Sequence, residues 1–145
     1  MTVEVETVEL VEPWLYATLH GDTALHGLVE GRFTNAQNPL SDGVIVPFVY
    51  FGFASERDIP TADGAIMDTE SYYNVKGVTI GNTYTGAALN VAKRINQLIN
   101  GAKPTLSPAG SLTCVRQQII QYVEVIQGVE YRHLGGLYRI RCSKD

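Results

Sequence analysis

The sequence predicts an α/β chain of the α+β kind, a mainly antiparallel sheet packed against two or three helices. Three observations carry this. The most apolar stretch, Val44 to Phe53, is rich in β-branched and aromatic residues, as strands are. The segment from Leu112 to Cys142 reads as a closing hairpin. Between them Ala88, Val91, Ala92, Ile95, Leu98 and Ile99 recur at helical spacing, with Asn90, Lys93, Arg94, Asn96 and Gln97 in the other positions. A chain of 145 residues, 45% hydrophobic and 18% charged, fits one such domain over residues 1–145.

From Thr2 to Glu12 valine or leucine alternates with glutamate, which fits a strand and the first turns of a helix equally. Pro13 suits the first position of a helix, with Trp14, Leu15, Thr18 and Leu19 on one side and Gly21 as its stop. Asp22 or Thr23 caps a short second helix, Ala24 to Val29, which Gly31 ends. Arg32 to Thr34 forms a short strand, followed by a polar loop from Asn35 to Gly43. The strand Val44–Phe53 is apolar on both faces, so both are expected to be covered; Pro47 marks its start or an edge position. Ser55 to Asp68 reads as a long polar loop, and a second strand, from about Thr69 to Ile80, pairs antiparallel with the first. The clearest helix runs from about Gly86 to Asn100, capped by Thr83 or Thr85 and ended by Gly101, and Pro104 and Pro108 mark a loop after it.

The hairpin allows a register argument. Val115, Ile119, Val123 and Val125 share one face of its first strand, and Leu134, Tyr138, Ile140 and Cys142 one face of its second. Opposed residues lie on the same face, so odd positions of the first strand oppose even positions of the second, which a two-residue turn at Gln127-Gly128 provides. Cys142 is then inside and Cys114 outside, and the two do not form a disulfide; a bulge at Gly135-Gly136 would change this. The same register sets Arg116 opposite Arg139, with Arg141 close by. Either acidic residues cover these cations, with Glu4, Glu6, Glu9 and Glu12 as candidates, or solvent screens them.

Net charge is −4, which disfavours a protein that grips DNA through its phosphates. Mild acidity suits a surface that DNA slides past, and equally one that is merely soluble. No apolar run reaches the ~18 residues of a membrane span, and Met1-Thr2-Val3-Glu4 lacks the pattern of a signal peptide, so the chain is expected to fold where it is made. There is no phosphate-binding Gly-rich loop, no G-x-S-x-G elbow and no His-Glu-x-x-His. His20 and His26 are read as unrelated, and the two cysteines are too far apart for a zinc or redox motif. No residue is singled out as catalytic, cofactor-binding or metal-ligating. Core packing is the expectation for most of the eight tyrosines, although tyrosine also suits interfaces.

Trp14-Leu15-Tyr16-Ala17-Thr18-Leu19 leads into Asp22-Thr23-Ala24-Leu25-His26-Gly27-Leu28-Val29, then Gly31-Arg32-Phe33 and Val46-Pro47-Phe48-Val49-Tyr50-Phe51. With the helix Ala87–Ile95 and the ending Tyr138-Arg139-Ile140-Arg141, this order resembles the tail-completion or tail-terminator proteins of long-tailed phages. The resemblance covers almost the whole chain; it is one of order and spacing, with no catalytic signature. The Val/Glu segment and the final hairpin are longer than the family pattern. What the resemblance implies is a non-enzymatic, ring-forming subunit without cofactors, assembled as six copies at the head-proximal end of the tail. The ring would end tail-tube growth and join tail to head, in the neck of a virion assembled in the host cytoplasm. Its implied partners are its own copies, the tail-tube protein and the head–tail connector proteins; DNA passes through without specific binding, and no membrane is involved.

Within that reading the interface candidates are Glu56, Arg57, Asp58, Asp63 and Asp68 of the long loop, the cations Arg116, Arg139 and Arg141, and Glu4 and Glu6. The loop is expected to be mobile in a free subunit and to order on assembly. Its four acids against one base would repel phosphate in a channel, or Arg57 would meet a carboxylate of the next subunit. Two other readings stand beside this one: a neck or head-completion connector of similar fold, and a small enzyme or ligand-binding domain with a pocket between the helix 86–100 and the sheet.

Overall fold

The computed structural model describes residues 7–60, 66–81, 86–106 and 110–143. In chain order the elements are α1 (Thr7–His20), α2 (Thr23–Leu28), β1 (Phe33–Thr34), β2 (Phe48–Pro60), β3 (Ile66–Ile80), α3 (Ala87–Ile99), β4 (Thr105–Leu106), β5 (Gly110–Ile126) and β6 (Val129–Ser143). The strands form one sheet in the order β1-β2-β3-β6-β5-β4. Among the described residues, β1 and β2 pair in parallel and the other pairs are antiparallel. The fold is therefore α+β.

The helices cover one face of the sheet. Val91, Ile95 and Ile99 of α3, and Val11, Leu15 and Leu19 of α1, each at a spacing of four residues, are buried against Val49, Phe51, Tyr73, Val75, Tyr138 and Ile140. Helix α3 lies so close to β3 that a Cβ on Gly77 would collide with Val91. Asp22 caps α2 by accepting the Leu25 N–H at 2.9 Å, and Arg94 of α3 grips the same carboxylate with Nε at 2.8 Å and Nη2 at 2.6 Å. These Arg94 bonds, with the Leu25 N–H, hold the Asp22 carboxyl below the usual carboxylate range against the opposing effect of burial.

Several expectations are corrected. Pro13 lies inside α1, because the helix already starts at Thr7 and Val11 extends its buried row. Strand β2 starts just after Pro47 and ends at Pro60, and β3 starts at Ile66, so residues 55–60 and 66–68 are paired strand and not loop. At the β2 end residues 53–58 are exposed on both faces, so they need no apolar alternation. The expected covering of both faces of β2 accordingly stops after Gly52: Phe48, Val49 and Phe51 are buried, whereas Phe53 is half exposed. Asp63, Glu4, Glu6, Thr83 and Thr85 lie outside the described residues; α3 has Gly86 as its N-cap, with no side-chain capping bond.

The closing hairpin turns at Gln127-Gly128, both with positive φ, and near the turn odd residues of β5 oppose even residues of β6 as expected. A bulge between Arg116 and Gln118, in β5 and not at Gly135-Gly136, then shifts the register by one residue. Beyond it Cys114 opposes Ile140 and Leu112 opposes Cys142, so Cys114 is inside along with Cys142. The two cysteines form no disulfide, and burial pushes the Cys114 thiol up to about 12. Val115 moves to the outer face, away from Ile119, Val123 and Val125. Arg116 opposes Tyr138 and not Arg139.

Candidate functional site

Three features of the sheet carry exposed or unusual chemistry. The first is a charged row on the outer face, opposite the helices. Arg57, Glu70 and Arg141 stand side by side on β2, β3 and β6. Glu70, nearly fully buried, accepts a hydrogen bond from Tyr72 Oη at 2.6 Å and one from Arg57 Nη2 at 3.2 Å. Arg141 donates from Nε to Asp68 at 2.9 Å. The Tyr72 hydroxyl, then the charges of Arg57 and Arg139, hold the Glu70 carboxyl below its ordinary range against burial. Among the described residues, the acids that answer Arg139 and Arg141 come from β3. Of the expected interface residues, the sheet brings Arg57, Asp68, Arg139 and Arg141 together around Glu70, which sequence reasoning missed. Glu56 and Asp58 oppose Ser71 and Thr69 on the other face, and Arg116 is on that face too, its backbone N–H bonded to Asn100 Oδ1 at 2.8 Å.

The second feature is the open edge of β5. The segment from Asn100 to Leu106 covers its first part through Gly101 N to Cys114 O at 2.7 Å, Cys114 N to Ala102 O at 3.0 Å and Leu112 N to Pro104 O at 3.0 Å. Past Arg116, among the described residues, no strand pairs with the free side of β5. The stretch Gln117–Ile126 spans roughly 30 Å at ~3.3 Å per residue. Ile119 and Val125 are 57% and 62% exposed there, and Tyr122 and Val123 are also exposed. An apolar, unpaired strand of this length is an adhesive surface. Ile119 also borders a groove of about 580 Å³ along α3, shared with Leu89, Ala92, Asn96 and Leu134. The charged residues lining that groove are Lys93 and Arg116, both cations, so it presents no acid–base pair.

The third feature was illegible in the sequence. Lys76, Tyr122 and His133 lie on β3, β5 and β6 and meet on the outer face under the loop 37–41. Lys76 Nζ donates to Tyr122 Oη at 2.6 Å and lies 5.1 Å and 4.8 Å from the ring centres of Tyr50 and Tyr122. Tyr122 stacks on His133 at 4.2 Å, and His133 Nε2 is 2.9 Å from Glu124 Oε1. Lys76 and His133 are both more than nine-tenths buried. Burial pulls the Lys76 ammonium down to about 8 despite Glu124 nearby. Burial, together with the Lys76 charge, pulls His133 down to about 4 against the pull of Glu124.

His20 and His26, read as unrelated, meet edge to face at 5.1 Å in a cluster with Tyr16 and Phe33. Among the described residues no three potential metal ligands gather, and no helix is long and apolar enough to cross a membrane.

Compared with known proteins, the chain matches no family model and none of the curated proteins. Among solved structures it is similar to a chain in the virion of a native gene transfer agent particle. The TM-score is 0.67 at 18% identity, over 97% of this chain and 99% of that one. At that identity the likeness is one of fold, and it runs through the whole domain: this chain shares its architecture with a virion component.

Proposed function

We propose that the chain is a structural subunit of a phage-like virion and works as one member of a ring. Its place is the head-proximal end of the tail, where the ring ends tube growth and joins tail to head. The observation that carries this reading is the open apolar edge of β5, a surface built to receive another chain. The end-to-end likeness to a virion chain supports it, and so does the resemblance of element order. In this reading the chain makes and breaks no covalent bond; its chemistry is surface complementarity between copies and with the tube. The charged row around Glu70 offers a second, polar contact surface beyond the helix layer, where Arg57 and Arg141 remain exposed enough to meet a neighbour.

Electron microscopy of the purified chain tests the proposal, with native mass to count subunits. Closed rings that cap purified tail tubes are the expected result. A monomer at every concentration that leaves tube length unchanged would overturn it.

A further inference from the structure

Lys76 carries a charge that no described residue pairs with directly. Among the described residues no carboxylate lies within ion-pair distance of its ammonium, and its hydrogen bond goes to a neutral phenol, Tyr122. The one acid nearby, Glu124, is engaged with His133. A cation more than nine-tenths buried is normally paired with an anion. His133 lies beside it, and its Nδ1 is buried without a hydrogen-bond partner among the described residues; with Nε2 donating to Glu124, that nitrogen is an acceptor and takes a donor, not an acid. Both side chains line one cavity of about 230 Å³, together with Tyr50, Asn38 and Gln37.

We infer that this cavity receives a carboxylate side chain from a neighbouring protein chain, with Lys76 as its counter-ion. The size fits a side chain and not a nucleotide. A phosphate is disfavoured because Lys76 is the single cation among the lining residues and Glu124 stands at the same wall. The source follows from placement: Tyr122 and Glu124 belong to the open stretch of β5, so a chain laid along that edge passes the cavity. The inference rests on the proposed assembly for the source of the acid, and on the cavity alone for its chemistry.

The test is zero-length coupling with a carbodiimide, which activates a carboxylate so that an amine in contact with it forms an amide, with the activated leaving group departing as the urea. The wild-type chain is treated as assembled particles and, separately, as free subunits with excess N-acetylglutamate. Peptide mass spectrometry then reads the partner of Lys76. The expected result is an amide from Lys76 to an Asp or Glu of a second chain in the assembled fraction, and to N-acetylglutamate in the free one. Lys76→Met should fold as the wild type does and weaken assembly at least tenfold, while Lys76→Arg retains part of it. Lys76 left uncoupled in the assembled particles, while it takes N-acetylglutamate in the free subunits, overturns the protein source. Coupling at Lys93 and Lys103 but never at Lys76 overturns the carboxylate site. If the wild type forms no assembly yet Lys76 takes N-acetylglutamate, the ring reading fails and the cavity chemistry stands.

Discussion

Replacing Lys76 by Met should stabilise the isolated subunit. At neutral pH the folded chain holds a buried ammonium whose pKa, about 8, is well below the ordinary 10.5. At ~1.4 kcal/mol per tenfold, that gap is a cost of about 3 kcal/mol for carrying the charge. Met fills a similar volume without it, but gives up the bond to Tyr122 and the two aromatic contacts, together worth about 1–2 kcal/mol. The net expectation is a gain of about 1–2 kcal/mol. Urea unfolding under conditions that keep the chain monomeric measures it, as a higher midpoint at unchanged slope. A pH series supplies a second signature. Because the folded pKa is lowered, the unfolded chain binds more protons between pH 8 and 10.5, so wild-type stability from Lys76 rises with pH through that window. Lys76→Met should lose this rise, measured up to about pH 9.5, before the tyrosines titrate. A variant that is less stable at pH 7, or one that keeps the rise, would refute the reasoning: the ammonium would then have satisfied partners.

His133 makes the opposite end of the pH range informative. Its folded pKa, about 4, is below the ordinary 6.5, so its contribution to stability is lost as pH falls from 6.5 towards 4, and His133→Phe should flatten that part of a stability–pH curve. In α3, Ile95→Ala should cost about 2–5 kcal/mol and Lys93→Ala well under ~1 kcal/mol in urea unfolding; equal effects would mean the helix face is assigned wrongly. At the open edge, Val123→Lys should leave monomer stability within ~0.5 kcal/mol and abolish assembly by light scattering or sedimentation, since a charge on an exposed strand blocks pairing. Normal assembly of that variant would move the contact elsewhere.

How much of this was legible in the sequence follows from how local each signal is. Helix α3 shows its stripe within one segment, and the Asp22 cap and Gln127-Gly128 turn are set by residues next to each other. The far end of β2 carries no apolar alternation because residues 53–58 are exposed, and the β3 residues facing it are polar, so Arg57 and Asp68 read as loop. The hairpin register was legible from the turn up to the bulge. Nothing near Arg116 or Gln118 signals an extra residue, and that one residue moved Cys114 inside and Arg116 away from Arg139. The Lys76 cavity was beyond reach for the same reason. Lys76, Tyr122 and His133 share no local pattern, and three strands must be in correct register before they meet. The Asp22–Arg94 fork likewise joins residues far apart in sequence through the packing of α2 on α3.

The bulge in β5 has a further consequence, in how far any growth by edge pairing can go. A flat edge of this length is a template on which copies stack without end, each new strand offering the same edge again. At Arg116–Gln118 the extra residue bends the strand and steepens its coil just where the covering segment stops and the bare stretch begins. In the proposed assembly a copy added there would be turned relative to the first, so successive additions would rotate and not pile up in parallel. Rotation is what lets a chain of identical contacts return to its starting point. In the proposed ring, one surplus residue would thus set a finite object apart from a fibre.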